Sequence, residues 1–225
     1  MKLSVIIPAL NEDERLEATL ESVIVAPSAE VIVVDGGSRD STVEVAYQYT
    51  SQVLVSPPGR GLQQAAGARH SEGNILLFLH ADTRLPSGYQ HFIREALAYP
   101  NVVFGAFRLA IHPPSRALKV IAFMANLRSR RLRLPYADQA IFVRREAYFQ
   151  VGGFREWPIM EDVDLVRRLN RMGGFKLARG YVKTSARRWR KENLISTTLR
   201  NWGLIIRYGL GVSPDALYRH YPDRR

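Results

Sequence analysis

Residues 74–86 read NILLFLHADTRLP, and this stretch decides the fold. The unbroken apolar run from Ile75 to Leu79 has no alternation, as expected of a strand buried on both faces of a parallel sheet. It ends in a polar cluster, His80-Ala81-Asp82-Thr83, which delivers a carboxylate at the strand's carboxyl end. In open α/β sheets ligands bind in the crevice outside those ends. Asp82 therefore stands where a substrate or a metal would sit, although an aspartate in the loop after a strand is also common without any such role.

Working back toward the amino terminus, three similar units precede it. Residues 2–10 predict a strand stopped by Pro8, with Asn11 as N-cap of a helix over 13–25 whose apolar residues are Leu16, Leu20, Val23 and Ile24. A strand over 30–34 runs into Asp35-Gly36-Gly37 and a helix over 41–49. A strand over 52–56 runs into Pro57-Pro58-Gly59-Arg60-Gly61 and the alanine-rich helix LQQAAGARHSEG. The alternation predicts a mostly parallel, right-handed sheet flanked by helices. Each strand ends in an acid or a glycine turn, so four loops converge on one edge, and one site is the economical explanation.

Beyond residue 86 the pattern loosens. Helices are predicted over 87–99, 115–133, 161–172 and 193–208, with strands over 102–111, 140–143 and 178–186 and a loop over 154–160. Gly105 inside the first of these strands suggests a bulge. Without a repeat, linker or low-complexity tract, residues 1–225 read as a single domain, with a binding half of about 85 residues followed by a second half.

Composition narrows the function. The chain has 225 residues, 46% hydrophobic, and no cysteine, which excludes disulfides and thiolate metal sites. There is no signal-peptide pattern and no run of about 20 apolar residues, so a cytoplasmic protein is expected. The net charge of +11 is uneven: residues 1–80 carry ten acids and five bases, residues 81–225 eleven acids and 27 bases, mostly arginine. Guanidinium groups suit phosphates and carboxylates, so anionic substrates, nucleic acid and anionic membranes all fit, as does an ordinary solvated surface.

Several residue groups could carry chemistry. Asp35 can accept from a base imide or a ribose hydroxyl while Gly36 and Gly37 let a ligand come close. Neither GxGxxG nor GxxxxGK[ST] is present. Asp82, with or without His80, offers hard ligands for Mg²⁺ or Mn²⁺. Glu161, Asp162 and Asp164 open a helix behind the apolar Trp157-Pro158-Ile159-Met160; they either serve the helix dipole or include a general base raised by apolar surroundings, with Asp164 facing elsewhere. Arg187, Arg188 and Trp189 could grip a diphosphate and stack on a sugar or base, or could pack against the core.

Four segments in order, SVIIPALNE, VIVVDGGSRDST, FLHADTRLP and GGF…MEDVDLVRRL, resemble those of a family 2 glycosyltransferase of the GT-A fold, over roughly residues 1–190. The segment GRGLQQAAGAR and the tail TSARRW…NW…YGLGVSP are similar to a small bacterial subgroup labelled arsenosugar-biosynthesis or radical-SAM-associated glycosyltransferases. The resemblance implies that Pro8, Asn11, Glu12 and Asp35 line a nucleotide pocket, joined by Gly36 and Arg60. It implies that Asp82 holds Mn²⁺ or Mg²⁺ on a nucleotide-diphosphate sugar, a UDP-sugar first among these, and that Asp162, or Glu161, is the base of an inverting transfer to an acceptor hydroxyl. Arg188 and Trp189 match the RW of the QxxRW motif, with Ser185 in place of the Gln, and His80 stands where the family's first Asp would be.

A nucleotidyltransferase shares this topology but places a basic glycine-rich loop after the first strand, where this chain has PALNEDE. A nucleic-acid binder would interleave basic and aromatic residues on one face, whereas here the arginines fall on several helices. The basic amphipathic segments over 115–133 and 194–210 fit a peripheral contact with the inner face of a membrane, and fit equally well packing on the sheet or on the second subunit of a homodimer.

Overall fold

The computed structural model describes residues 2–25, 29–187 and 194–219. Its centre is one eight-stranded mixed sheet in the order β3-β2-β1-β4-β7-β6-β8-β5. The strands are β1 (Leu3–Ala9), β2 (Ala29–Asp35), β3 (Val53–Val55), β4 (Ile75–Phe78), β5 (Thr83–Arg84), β6 (Val102–His112), β7 (Ile141–Arg144) and β8 (Gly174–Ser185). The first four run parallel, β7 is antiparallel to both β4 and β6, β8 is parallel to β6, and β5 closes the edge antiparallel to β8.

The helices are α1 (Asp13–Ile24), α2 (Thr42–Tyr47), α3 (Arg60–His70), α4 (Tyr89–Ala96), α5 (Arg116–Leu132), α6 (Arg145–Gln150), α7 (Glu161–Met172), α8 (Leu194–Gly209) and α9 (Pro214–Tyr218), with a 3-10 turn at Ala137–Gln139. One side of the sheet packs on α1, α4 and α5 through Leu16, Leu20, Ile93, Leu118 and Ala122. The other packs on α3, α6 and α7 through Ala65, Ala68, Tyr148, Leu165 and Leu169. Burial on both sides is why β1, β2 and β4 read as continuous apolar runs.

Close approach explains two glycines. A Cβ on Gly67 would lie 2.5 Å from Ile6 Cγ2 and 3.0 Å from Val34 Cγ2, so α3 sits flat on β1 and β2 only because the residue is glycine. A Cβ on Gly105 would run into the Lys176 carbonyl and the Phe142 ring. The expected bulge is not at Gly105 itself; register shifts against β8 flank it, between Val102 and Phe104 and between Ala106 and Arg108. Gly105→Ala is expected to cost roughly 3 kcal/mol in urea unfolding, because backbone and a buried ring both have to move; a loss below about 0.5 kcal/mol would show that the sheet adapts freely.

Most predicted elements are present with shifted ends. The last strand begins at Gly174 rather than 178, the helix over 87–99 contracts to Tyr89–Ala96, and that over 41–49 to Thr42–Tyr47. Asn11 is not the N-cap of α1. Glu12 holds that position, and Asn11, at φ 52°, instead accepts from the Arg39 N–H at 2.9 Å while its own N–H donates to Ser38 Oγ at 2.9 Å. The two-residue β5 and the short α9, opened by Ser213 and Pro214, are additions to the expected order.

Candidate active site

The strand order fixes where a site forms. From β1 the chain moves outward to β2 and β3, then returns to place β4 on the other side of β1. The connections therefore diverge at β1 and β4, which opens a crevice at their carboxyl ends. Asn11 and Glu12 follow β1 and Asp82 follows β4, so both carboxylates lie at this switch point. Ladder pairing between the two strands ends at Ile6 and Phe78, leaving Pro8, which lacks an N–H, beyond the last pair.

The wall on the β2 side is rigid. Asp35, buried, accepts from the Gly37 and Ser38 N–H groups at 2.8 and 3.0 Å and from Ser38 Oγ at 2.5 Å. These bonds draw the glycine turn into a cup, with Gly37 at φ 90°. Beneath it, buried Gln63 donates to the carbonyls of Ala9 and Val34, both at 2.8 Å, and packs under Gly36. A glutamine in an alanine-rich helix gave no sign of this role, since glutamine there usually faces water.

Across the crevice, β5 supplies what the expected topology lacked. Thr83 pairs with Thr184, and Ser185 N–H donates to the Asp82 carbonyl at 3.2 Å. The end of β8 is thereby brought beside the β1 and β4 loops, and Arg187 reaches Glu12 Oε1 at 2.5 Å. Of the cluster Arg187, Arg188 and Trp189 expected either to grip a diphosphate or to pack on the core, Arg187 is thus placed beside the β1 loop. Arg188 and Trp189 lie outside the described residues.

Burial pushes the Glu12 carboxyl above its ordinary value of 4.5; Arg187 pulls it down, and the charge of Asp82 adds to the rise. Folding therefore favours protonated Glu12, a contribution to stability that is full below about pH 4.5 and lost as pH climbs through the raised value. Arg187→Met removes the lowering partner, so the loss should move to higher pH. Urea unfolding between about pH 4 and 8 measures this, with Glu12→Gln abolishing the difference. Coincident wild-type and Arg187→Met profiles would refute the coupling.

The remaining candidate acids lie at the start of α7. Glu161 is buried and pairs with Arg60 Nε at 3.3 Å, so both are engaged with each other. Asp162 is only half-buried, and its two oxygens accept separately from the backbone N–H groups of Ala137, at 2.9 Å, and Val163, at 2.8 Å. Beside it the Arg128 guanidinium lies 3.3 Å over the Tyr136 ring. Burial raises the Tyr136 phenol, Arg128 lowers it, and Asp162 and Asp138 raise it further. Asp164 faces elsewhere, as expected, bound to Arg168 Nε at 2.8 Å and approached by Arg155 and Tyr208. The apolar segment before α7, expected to enclose the acids, instead sends Ile159 into a small separate core with Leu204 and Leu217.

For a divalent cation, hard carboxylate oxygens on Asp82 and Glu12 are the right chemistry, and ions of the Mg²⁺ type are commonly held by one or two carboxylates plus substrate phosphates. No cluster of three or more His, Asp or Glu residues forms among the described residues. His80 Nε2 is buried.

Comparison with known proteins agrees with this geometry. Residues 4–156 match the model of the family described as Glycosyl transferase family 2. An uncharacterized glycosyltransferase of Mycobacterium tuberculosis is 32% identical over 157 residues, 67% of this chain and 71% of the relative. S. aureus TarS 1-349 in complex with UDP-GlcNAc superposes with a TM-score of 0.62 at 18% identity, covering 82% of this chain and 58% of the other. The mannosyltransferase PcManGT from Pyrobaculum calidifontis, in complex with GDP-Man and Mn²⁺, gives 0.63 at 18% identity over 81% and 56%. The chain thus spans less than two thirds of either solved chain and shares their fold.

Proposed function

Since the chain belongs to glycosyl transferase family 2, we propose that it is an inverting enzyme moving a sugar from a nucleoside-diphosphate donor, a UDP-sugar first among candidates, to an acceptor hydroxyl. The observation that carries this reading is the charged cluster at the β1/β4 switch point, where Arg187 bonds Glu12 and the charge of Asp82 reaches it; Asp162, held at the head of α7 by the Ala137 N–H, is the acid assigned to the acceptor. Family membership sets aside the nucleotidyltransferase alternative. The similarity to the arsenosugar-associated subgroup, and the division into a donor half of about 85 residues and an acceptor half within one domain, belong to the same proposal.

In this reading the cup formed by Asp35, Gly36 and Gly37 receives the base and ribose, with Asn11 tying the β1 and β2 loops into one surface. Asp82, with Glu12 beside it, would hold Mn²⁺ or Mg²⁺, which when bound offsets charge on the diphosphate. Arg187 has N–H donors beyond the one spent on Glu12 and can turn them toward phosphate oxygens. Asp162 takes the proton from the acceptor hydroxyl, which attacks the anomeric carbon as the bond to the diphosphate breaks. Its two backbone donors fix both oxygens, so the base is oriented before substrate arrives. Glu161, buried against Arg60, positions the helix start instead of abstracting the proton.

Calorimetric titration of UDP, GDP, CDP and ADP, each with and without Mn²⁺, tests the donor class. Metal-dependent binding of one diphosphate is expected. No heat from any of the four would remove the donor site from the proposal.

A further inference from the structure

Helix α5 has two unlike faces. On the inner one, Leu118, Ala122 and Ala125 are buried and Asn126 clasps β6, accepting from the Leu109 N–H at 2.7 Å and donating to its carbonyl at 3.0 Å. On the outer one, Val120, Phe123, Met124 and Leu127 are 61%, 65%, 42% and 37% exposed. Their spacing puts them in one stripe. Single exposed apolar residues need no explanation, but a contiguous aromatic and aliphatic patch does.

The surroundings of the stripe identify its occupant. Arg116 and Lys119 stand at its amino-terminal end and Arg130 and Arg131 at its carboxyl-terminal end, all exposed. Between Glu95 and Asp138 the chain has no acidic residue at all. Two copies of α5 paired about a twofold axis would set one basic end against the other with no carboxylate on the helix to compensate. A surface that is apolar within and anionic at its rim complements both features.

We propose that the outer face of α5 docks on an anionic lipid bilayer, with Phe123 and Leu127 entering the headgroup boundary and the four flanking cations meeting lipid phosphates. The helix ends at Leu132, and the short non-helical segment over 133–136 leads from it to Ala137, whose N–H holds Asp162. On the reading of Asp162 as the base, docking turns the acceptor side of the crevice toward the membrane, where an amphiphilic hydroxyl compound would be presented.

The test is co-sedimentation with phosphatidylcholine vesicles with and without phosphatidylglycerol, on the wild type, Phe123→Asp/Leu127→Asp and Arg130→Glu/Arg131→Glu. Nucleoside-diphosphate titration and light scattering run in parallel on each. The wild type should bind only the anionic vesicles, and each double variant should lose about tenfold or more in partition while remaining folded by circular dichroism. Wild-type protein left in the supernatant, or variants that sediment like the wild type, would overturn the proposal. So would a wild-type dimer that becomes a monomer in Phe123→Asp/Leu127→Asp, since a second copy would then own the face. Partition does not depend on sugar transfer, so a failed donor titration would leave it standing.

Discussion

Asp162→Asn is expected to lower turnover by about a thousandfold while leaving nucleoside-diphosphate binding within about twofold of wild type. The carboxylate is the only half-exposed acid at the head of α7, because Glu161 is buried against Arg60 and Asp164 is bound to Arg168. An amide cannot take the acceptor's proton. It can also satisfy only one of the two N–H groups that Asp162 serves, those of Ala137 and Val163, since its NH₂ end would face the other donor. A stability loss of about 1 kcal/mol is therefore expected alongside the kinetic effect. Asp162→Ala separates the two: it should lose activity equally, with both donors left to water. Turnover near wild type in the asparagine variant would take Asp162 out of the role of base.

Asp82→Ala should weaken Mn²⁺-dependent diphosphate binding by about 30-fold or more, since truncating one partner of a close charge interaction typically costs about 2–5 kcal/mol. The variant should fold, because what ties this segment to β8 is the Asp82 carbonyl, which alanine keeps, and the carboxylate makes only a long contact with Thr83 Oγ1. A second readout follows from Glu12. With the Asp82 charge gone, one cause of its raised pKa disappears, and the carboxyl should titrate lower than in wild type. Identical binding curves with and without Mn²⁺, in wild type and variant alike, would refute a metal-holding role for Asp82.

The parts of the molecule legible in the sequence are those where one constraint dominates. The strands β1, β2 and β4 are buried on both sides, so their apolar runs and the acids that end them stood out. The boundaries of α7 were read correctly from acids in its first turn and arginine at its end. What escaped reading depends on partners far along the chain. The two residues of β5 are too few to show periodicity, yet they bring Arg187 to Glu12 across 175 positions. Gln63 looks like a solvent residue until β1 and β2 are laid beside each other. The role of Asn11 changed because its amide could join the loop after β2 instead of starting a helix, and only the paired loops reveal that choice.

The tie between Asp164 and Tyr208 has a consequence for anyone exchanging parts of this protein. Tyr208 on α8 donates to Asp164 at 3.4 Å, its ring is covered by Arg167 and edges Trp157, and Leu204 and Leu217 close over Ile159. Asp162 and Asp164 share the first turn of α7, so the carboxyl-terminal helices brace the same turn that carries Asp162, the proposed base. On the proposed role of Asp162, a chimera with a foreign tail would keep the loops after β1, β2 and β4 and still misalign that carboxylate, unless the graft brings a phenol to position 208 and an apolar lid for Ile159.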